Sequence, residues 1–470
     1  MNLKNFFKSI IILSILMFIF GTFLIFSPSN FSKVIIDFFP VSFKNSVKNT
    51  IFYVPIKLRD ILVNKKKISE LNLQVRELNT ELDALRSKVN SGQVSNEILL
   101  SSELKKFELK KIFIDYSLSP SSKKMNKKNG YLEIYNNKII AVFWTGKIIY
   151  FDKKQISSKE ITFHNLKTNI NDFLKNDEKD KFISIKDAMI LNDKLYLSYT
   201  KNLKPKSNCL NLSLVSAKIN ENDDKITLEA FEDFFTYDEC LEARFNGYQS
   251  GGRIFDYKDN TILLTIGDFQ NFIPAQDKNS YFGKIISIDV KDKSHKIISM
   301  GHRNQQGLYY DKEQDVILST EHGQRGGDEI NRIIDSKNEI SNYGWPIASY
   351  STYYGYEDKQ IKQIAPFKKS HKDNGFIEPL IYFTPALGIS QITHANNFEK
   401  FDKSIFLVTS MAKRKIVFVD INYNENVARK IDELFIDERI RDIIPFEEDK
   451  YLLFLENSPA IGVLKIFDEK

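Results

Sequence analysis

From about Glu103 to the C-terminus the sequence is a succession of short apolar or alternating runs with no sustained helical period, which confines this part of the chain to a large all-β fold. The runs include Tyr131–Ile134, Ile139–Trp144, Lys194–Tyr199, Thr261–Ile266, Lys284–Val290, Val316–Ser319, Ser404–Val408, Lys415–Ile421, Tyr451–Leu455 and Ile461–Phe467. Turn signals such as Asn129-Gly130, Asp259-Asn260 and Asp311-Lys312 separate them. Long helical stretches between the runs, which a parallel α/β sheet needs, are scarce. Many short strands suit a propeller, whose blades are four-stranded sheets around a channel; a stacked double sheet fits the same pattern. No clean tandem repeat decides between them.

The N-terminal part reads differently. Ser9 to Phe26 is almost uninterruptedly apolar, and at about 1.5 Å per residue it would span roughly 27 Å, close to the hydrocarbon core of a bilayer. Lys4 and Lys8 precede it, which favours a cytoplasmic N-terminus. A cleaved signal peptide is the rival reading, but Ser27-Pro28-Ser29-Asn30 lacks a small-x-small cleavage site. The expectation is a cytoplasmic segment 1–8, a transmembrane anchor 9–27 and a juxtamembrane segment 28–55. Over 56–90 a heptad follows, with Ile61, Ile68, Val75, Leu82 and Val89 at position a and Asn64, Leu71, Leu78 and Leu85 at d. β-Branched residues at a with Leu at d favour a parallel coiled-coil homodimer. A single amphipathic helix against its own β domain is the alternative. The polar stretch around Ser91-Gly92 predicts a linker over 91–104, leaving 105–470 to the β domain.

Sixty-seven basic and 61 acidic side chains give a net charge of +6, mostly interspersed, so nucleic acid is not an expected partner. The two cysteines, Cys209 and Cys240, would close a disulfide in an oxidising compartment and stay buried thiols in a reducing one.

Three motifs narrow the function. They are Gly301-His302-Arg303-Asn304-Gln305-Gln306-Gly307-Leu308, Thr320-Glu321-His322-Gly323-Gln324-Arg325-Gly326-Gly327-Asp328-Glu329-Ile330-Asn331, and Asn342-Tyr343-Gly344-Trp345-Pro346. Gly251-Gly252-Arg253-Ile254, Thr265-Ile266-Gly267-Asp268 and Tyr281-Phe282-Gly283-Lys284-Ile285 lie upstream, and Arg439-Ile440-Arg441-Asp442 near the end. In order and spacing the chain resembles, over about 110–470, the quinoprotein glucose/sorbosone dehydrogenases. That resemblance implies a six-bladed β-propeller with pyrroloquinoline quinone (PQQ) over the channel, oxidising a sugar at C1 by hydride transfer. Carboxylates of such a cofactor call for guanidinium forks. The resemblance gives that role to Arg439 and Arg441, with Lys413 at an uncertain alignment, and places Arg303 and Asn304 at the quinone oxygens. It implies a calcium ion on the backbone carbonyls of Gly323 and Gln324. Glu321, Asp328 and Glu329 are expected to satisfy loop amides, His322 to be structural, and Tyr343, Gly344 and Trp345 to pack.

The family's general base, a histidine, falls at Tyr248 or Gln249, depending on where a one-residue offset is placed. A free Tyr titrates near pH 10 and Gln not at all, so neither replaces imidazole at neutral pH. The family's early glutamine has no counterpart over 183–188. Two functions therefore stand: a membrane-anchored quinone-dependent sugar dehydrogenase with its propeller in the periplasm (N-in, C-out at the inner membrane), or a non-catalytic propeller binding a sugar, polymer or protein.

Overall fold

The computed structural model describes residues 94–114, 129–174, 183–204, 209–242, 249–353 and 359–467. All lie in one compact unit, 85–470. The anchor over 9–27, the heptads over 56–90 and Tyr248 fall outside the described residues. Among the described residues, no helix is long and apolar enough to cross a membrane.

Six sheets, antiparallel apart from one parallel pairing at the edge of the third, form the blades of a propeller. Their inner strands, in chain order, are Gly130–Tyr135, Ile185–Leu191, Gly251–Tyr257, Gln305–Asp311, Ile389–His394 and Ile440–Pro445. Each inner strand touches the next, and the sixth touches the first, so the ring is closed. Closure joins the two ends of the β region: Lys106–Phe113 pairs antiparallel with Ala460–Ile466 as an outer strand of blade six. The predicted linker is corrected in part, because Ile98–Ser101 pairs with Lys106–Leu109 and Val94 bridges Ile112. This stretch is apolar enough (Ile98, Leu99, Leu100) to extend an open sheet edge.

Fully buried aliphatic and aromatic side chains from facing sheets, such as Leu197, Leu212, Leu264 and Phe282, fill the space between blades. Cys209 and Cys240 are joined in a disulfide that secures the Leu241–Glu242 strand beside Cys209 in blade two.

Five of the six inner strands carry one extra residue at their start. The register skips Lys186 in blade two, Gly252-Arg253 against Thr265 in blade three, Gln306 in blade four, Ser390-Gln391 against Thr409 in blade five and Arg441 in blade six. A bulge breaks the alternation of a strand and re-aims a side chain. Here it places the polar residues that line the channel.

Candidate functional site at the channel mouth

The first layer of the channel is organised by Arg253, only 3% exposed. Its Nη1 donates to Asp187 Oδ1 of blade two and Asp442 Oδ1 of blade six, both at 2.9 Å. Its Nη2 donates to the Arg441 carbonyl and its Nε to the Gln306 carbonyl, each at 2.7 Å. The ring of Tyr131 in blade one lies 5.2 Å from the guanidinium, and Asp442 Oδ2 accepts from Leu132 N of the same blade. One buried cation thus ties five blades. Burial raises the Asp187 carboxyl, Arg253 opposes this, and the nearby Asp442 adds to it.

In an antiparallel blade the start of the inner strand and the turn after the second strand lie at the same end. That geometry gathers Gln249, Arg303, Asn304, Arg439 and Arg441 with the loops 322–327 and 411–414 at one mouth of the channel. A continuous bonded chain connects them. Arg441 Nη1 donates to Gln306 Oε1 at 3.0 Å, and Gln306 Nε2 donates to Asn304 Oδ1 at 3.0 Å. Asn304 Nδ2 stands 3.5 Å from His322 Nδ1. Arg303 Nη1 donates to the carbonyls of His322 and Gly323 at 2.9 and 2.8 Å. Arg439 Nε and Arg441 Nε both donate to Glu456, at 2.8 and 2.6 Å. Burial alone would raise Glu456, but the two guanidiniums outweigh it and hold the carboxyl below its usual value.

Sequence spacing thus brings Arg303, Asn304, Arg439 and Arg441 together. The route differs from the expected alternation, because Arg439 precedes the strand and Arg441 is its bulge. Lys413 is exposed, and among the described residues no hydrogen bond or ion pair engages its ammonium. Glu456 and Gln306 went unread as site residues because nothing in their neighbourhood marks a buried partner for two arginines.

Of the two positions where the family's base falls, Gln249 is among the described residues and Tyr248 is not. The Gln249 amide, oriented to satisfy both ends, donates to Asp268 Oδ1 at 3.1 Å and accepts from Arg303 Nη2 at 2.8 Å. Asp268 is fully buried, accepts from Trp345 Nε1 at 2.8 Å and from Gln270 N at 2.8 Å. Burial pushes its carboxyl up to about 7 despite Arg303. Trp345, expected only to pack, also lies under Arg303 with 5.4 Å between ring centre and guanidinium. Burial lowers the His322 imidazole, opposed by Asp328 and by the bond of its Nε2 to the Ile389 carbonyl. Asp328 satisfies loop amides as expected, accepting from Gly323 N at 3.1 Å and from Leu387 N at 2.9 Å.

An anionic ligand of the PQQ kind fits these residues. Among the described residues, Arg303 Nε is buried without a partner, and the outer nitrogens of Arg439 reach only Met411 O and Sδ, at 3.4 and 3.6 Å. Of the two carbonyls expected to hold calcium, that of Gly323 accepts from the Arg303 guanidinium.

A family model described as Glucose / Sorbosone dehydrogenase matches residues 182–464. An uncharacterized protein of Synechocystis is 31% identical over 242 residues, covering 46% of this chain and 55% of its own length. An aldose sugar dehydrogenase of Escherichia coli is 27% identical over 258 residues, covering 51% of this chain and 65% of its own. The chain thus spans between half and two thirds of the length of these curated relatives. The structure of the PQQ-bound aldose sugar dehydrogenase of Streptomyces coelicolor superposes with a TM-score of 0.53 at 17% identity, covering 80% of this chain and 98% of that one, a likeness of fold. With the family match running through blades two to five and part of blade six, more than half of the chain, the chain belongs to the glucose/sorbosone dehydrogenase family.

Proposed function

We propose that the protein is a membrane-anchored, PQQ-dependent aldose sugar dehydrogenase whose propeller works in the periplasm. The observation that carries this is the convergence of Arg303, Arg439 and Arg441 on one mouth, with guanidinium nitrogens left unsatisfied or weakly bonded. Arg439 and Arg441 would hold the cofactor's carboxylates, and Arg303 and Asn304 its quinone end. When bound, PQQ would supply the electrophilic carbonyl that accepts hydride from a sugar C1. The disulfide in blade two supports an oxidising compartment. The apolar run over 9–27 and its flanking lysines support an inner-membrane tether, and the heptads over 56–90 a parallel dimer.

With the base position at Gln249 rather than Tyr248, Gln249 would set the rate. Its amide cannot take the anomeric hydroxyl's proton, and loss of a general base typically removes about 10²–10⁴-fold. The same residue favours the second reading, a propeller that retains the ligand-binding mouth without turnover. Dye reduction by the full chain, loaded with PQQ and given aldoses, separates the two. Slow aldose-dependent reduction is expected, and it should rise when Gln249 is replaced by His. Cofactor uptake with no reduction in either protein would establish the non-catalytic reading.

A further inference from the structure

The loop 322–327 is where the family resemblance places calcium, and its geometry disagrees with a metal there. Gly323 O accepts from Arg303 Nη1 at 2.8 Å, and the neighbouring His322 O accepts from the same nitrogen at 2.9 Å. Both carbonyls therefore already face a full positive charge. The carboxylates that might complete a metal shell are turned elsewhere. Glu321 takes the Arg303 amide with one oxygen and His302 Nδ1 with the other. Asp328 takes Gly323 N with one oxygen and the amides of Leu387 and Gly388 with the other. Gln324 stands where the stiffening proline is expected, and its main-chain carbonyl and buried Oε1 together offer only two neutral oxygens. Calcium requires about six to eight oxygen ligands. Among the described residues, no group of three His, Cys, Asp or Glu side chains is placed to hold a metal.

We infer that Arg303 is the resident cation of this mouth, filling the calcium position, so that the anionic ligand binds without a divalent metal. A guanidinium cannot be deprotonated in proteins, and its fork meets carbonyls on one edge while leaving another free. Here Nη1 serves the loop, Nη2 meets Gln249, and Nε has no partner among the described residues. The Trp345 face holds the guanidinium from one side, and the Arg303 backbone N–H, donating to Glu321, fixes the main chain that presents it. This inference rests on the quinone-binding reading of the same site and specifies its electrostatics.

The test uses the full-length protein, stripped with EDTA, and terbium(III) as a luminescent stand-in for calcium. Trp345, in contact with Arg303, is the sensitiser, and Trp345→Phe supplies the background. The wild type should show no terbium emission above that background. Arg303→Ala, which frees both carbonyls, should gain a saturable emission that calcium displaces. Near-UV circular dichroism checks that the variant is folded, with Arg303→Met as the second variant, and the wild-type arm is decisive alone. Saturable Trp345-sensitised emission from the wild type would overturn the inference. Silence in both the wild type and the folded variants would overturn the assignment of Arg303 as the group that fills a cation seat. PQQ titrated in EDTA and in calcium buffer should bind equally. Binding in calcium buffer but not in EDTA would overturn the inference, whereas failure to bind in both would sink the quinone reading and leave the terbium result standing.

Discussion

Replacing Arg253 with Met removes one guanidinium from between two carboxylates in the channel. The side chains of Asp187 and Asp442 are each 4% exposed, so water cannot take over the role of the cation. Stripping one partner from a buried ion pair costs about 3–5 kcal/mol, because the remaining charge is left uncompensated. The carbonyls of Gln306 and Arg441 also lose their donor, at about 1–3 kcal/mol each before relaxation, and the losses overlap. Met keeps most of the volume, so the cavity contribution is small. The expected loss is about 5 kcal/mol, read from guanidinium unfolding by linear extrapolation. The cause is tested by adding Asp187→Asn and Asp442→Asn to the same protein. With no carboxylate left unpaired, the triple variant should recover at least about 2 kcal/mol over the single one. A single variant that loses less than about 1 kcal/mol, or a triple variant less stable than the single, would refute the hub.

Other outcomes follow from the same geometry. Asp268 has a folded pKa of about 7, raised by burial, against an ordinary value near 3.8. Its contribution to stability is therefore full below pH 3.8 and lost as pH rises to about 7, with a ceiling of about 4 kcal/mol at 1.36 kcal/mol per unit. Asp268→Asn should gain stability relative to the wild type across that window and run parallel above it; a difference independent of pH would contradict this. Glu456→Gln leaves Arg439 and Arg441 without their carboxylate and should destabilise by about 2–4 kcal/mol. It should at the same time tighten binding of a multivalent anion such as PQQ, in a titration of the folded variant. Replacing Cys209 and Cys240 by Ser should cost about 2–4 kcal/mol in thermal or denaturant unfolding, through the loop the bridge closes.

Much of the blade architecture was legible because buried strands announce themselves. Lys284–Val290 was read and Lys284–Asp289 is the strand; Lys415–Ile421 was read and Lys415–Asn422 is the strand. Outer strands were harder. Val427–Phe435 mixes Arg429, Lys430 and Glu433 with buried Ala428 and Leu434, so its composition resembles a loop. Ring closure was not legible at all, since nothing local in Lys106–Phe113 indicates that its partner is Ala460–Ile466. At the site, motif spacing located Arg303, Asn304, Arg439 and Arg441. The hub was hidden because period-two reasoning fails at a bulge: Arg253, Gln306 and Arg441 each occupy a position that alternation cannot assign to a face. Gln249 was legible as a departure, while its bond to Asp268 required the fold.

Whether the arginine-rich mouth holds PQQ is decided by calorimetric titration of PQQ into the full-length protein. The account predicts saturable uptake of about one PQQ per chain, weakened at least about tenfold by Arg441→Gln and again by adding Arg303→Gln, since each removes a charge-assisted contact. No uptake by the folded wild type, or uptake indifferent to both substitutions, would contradict it.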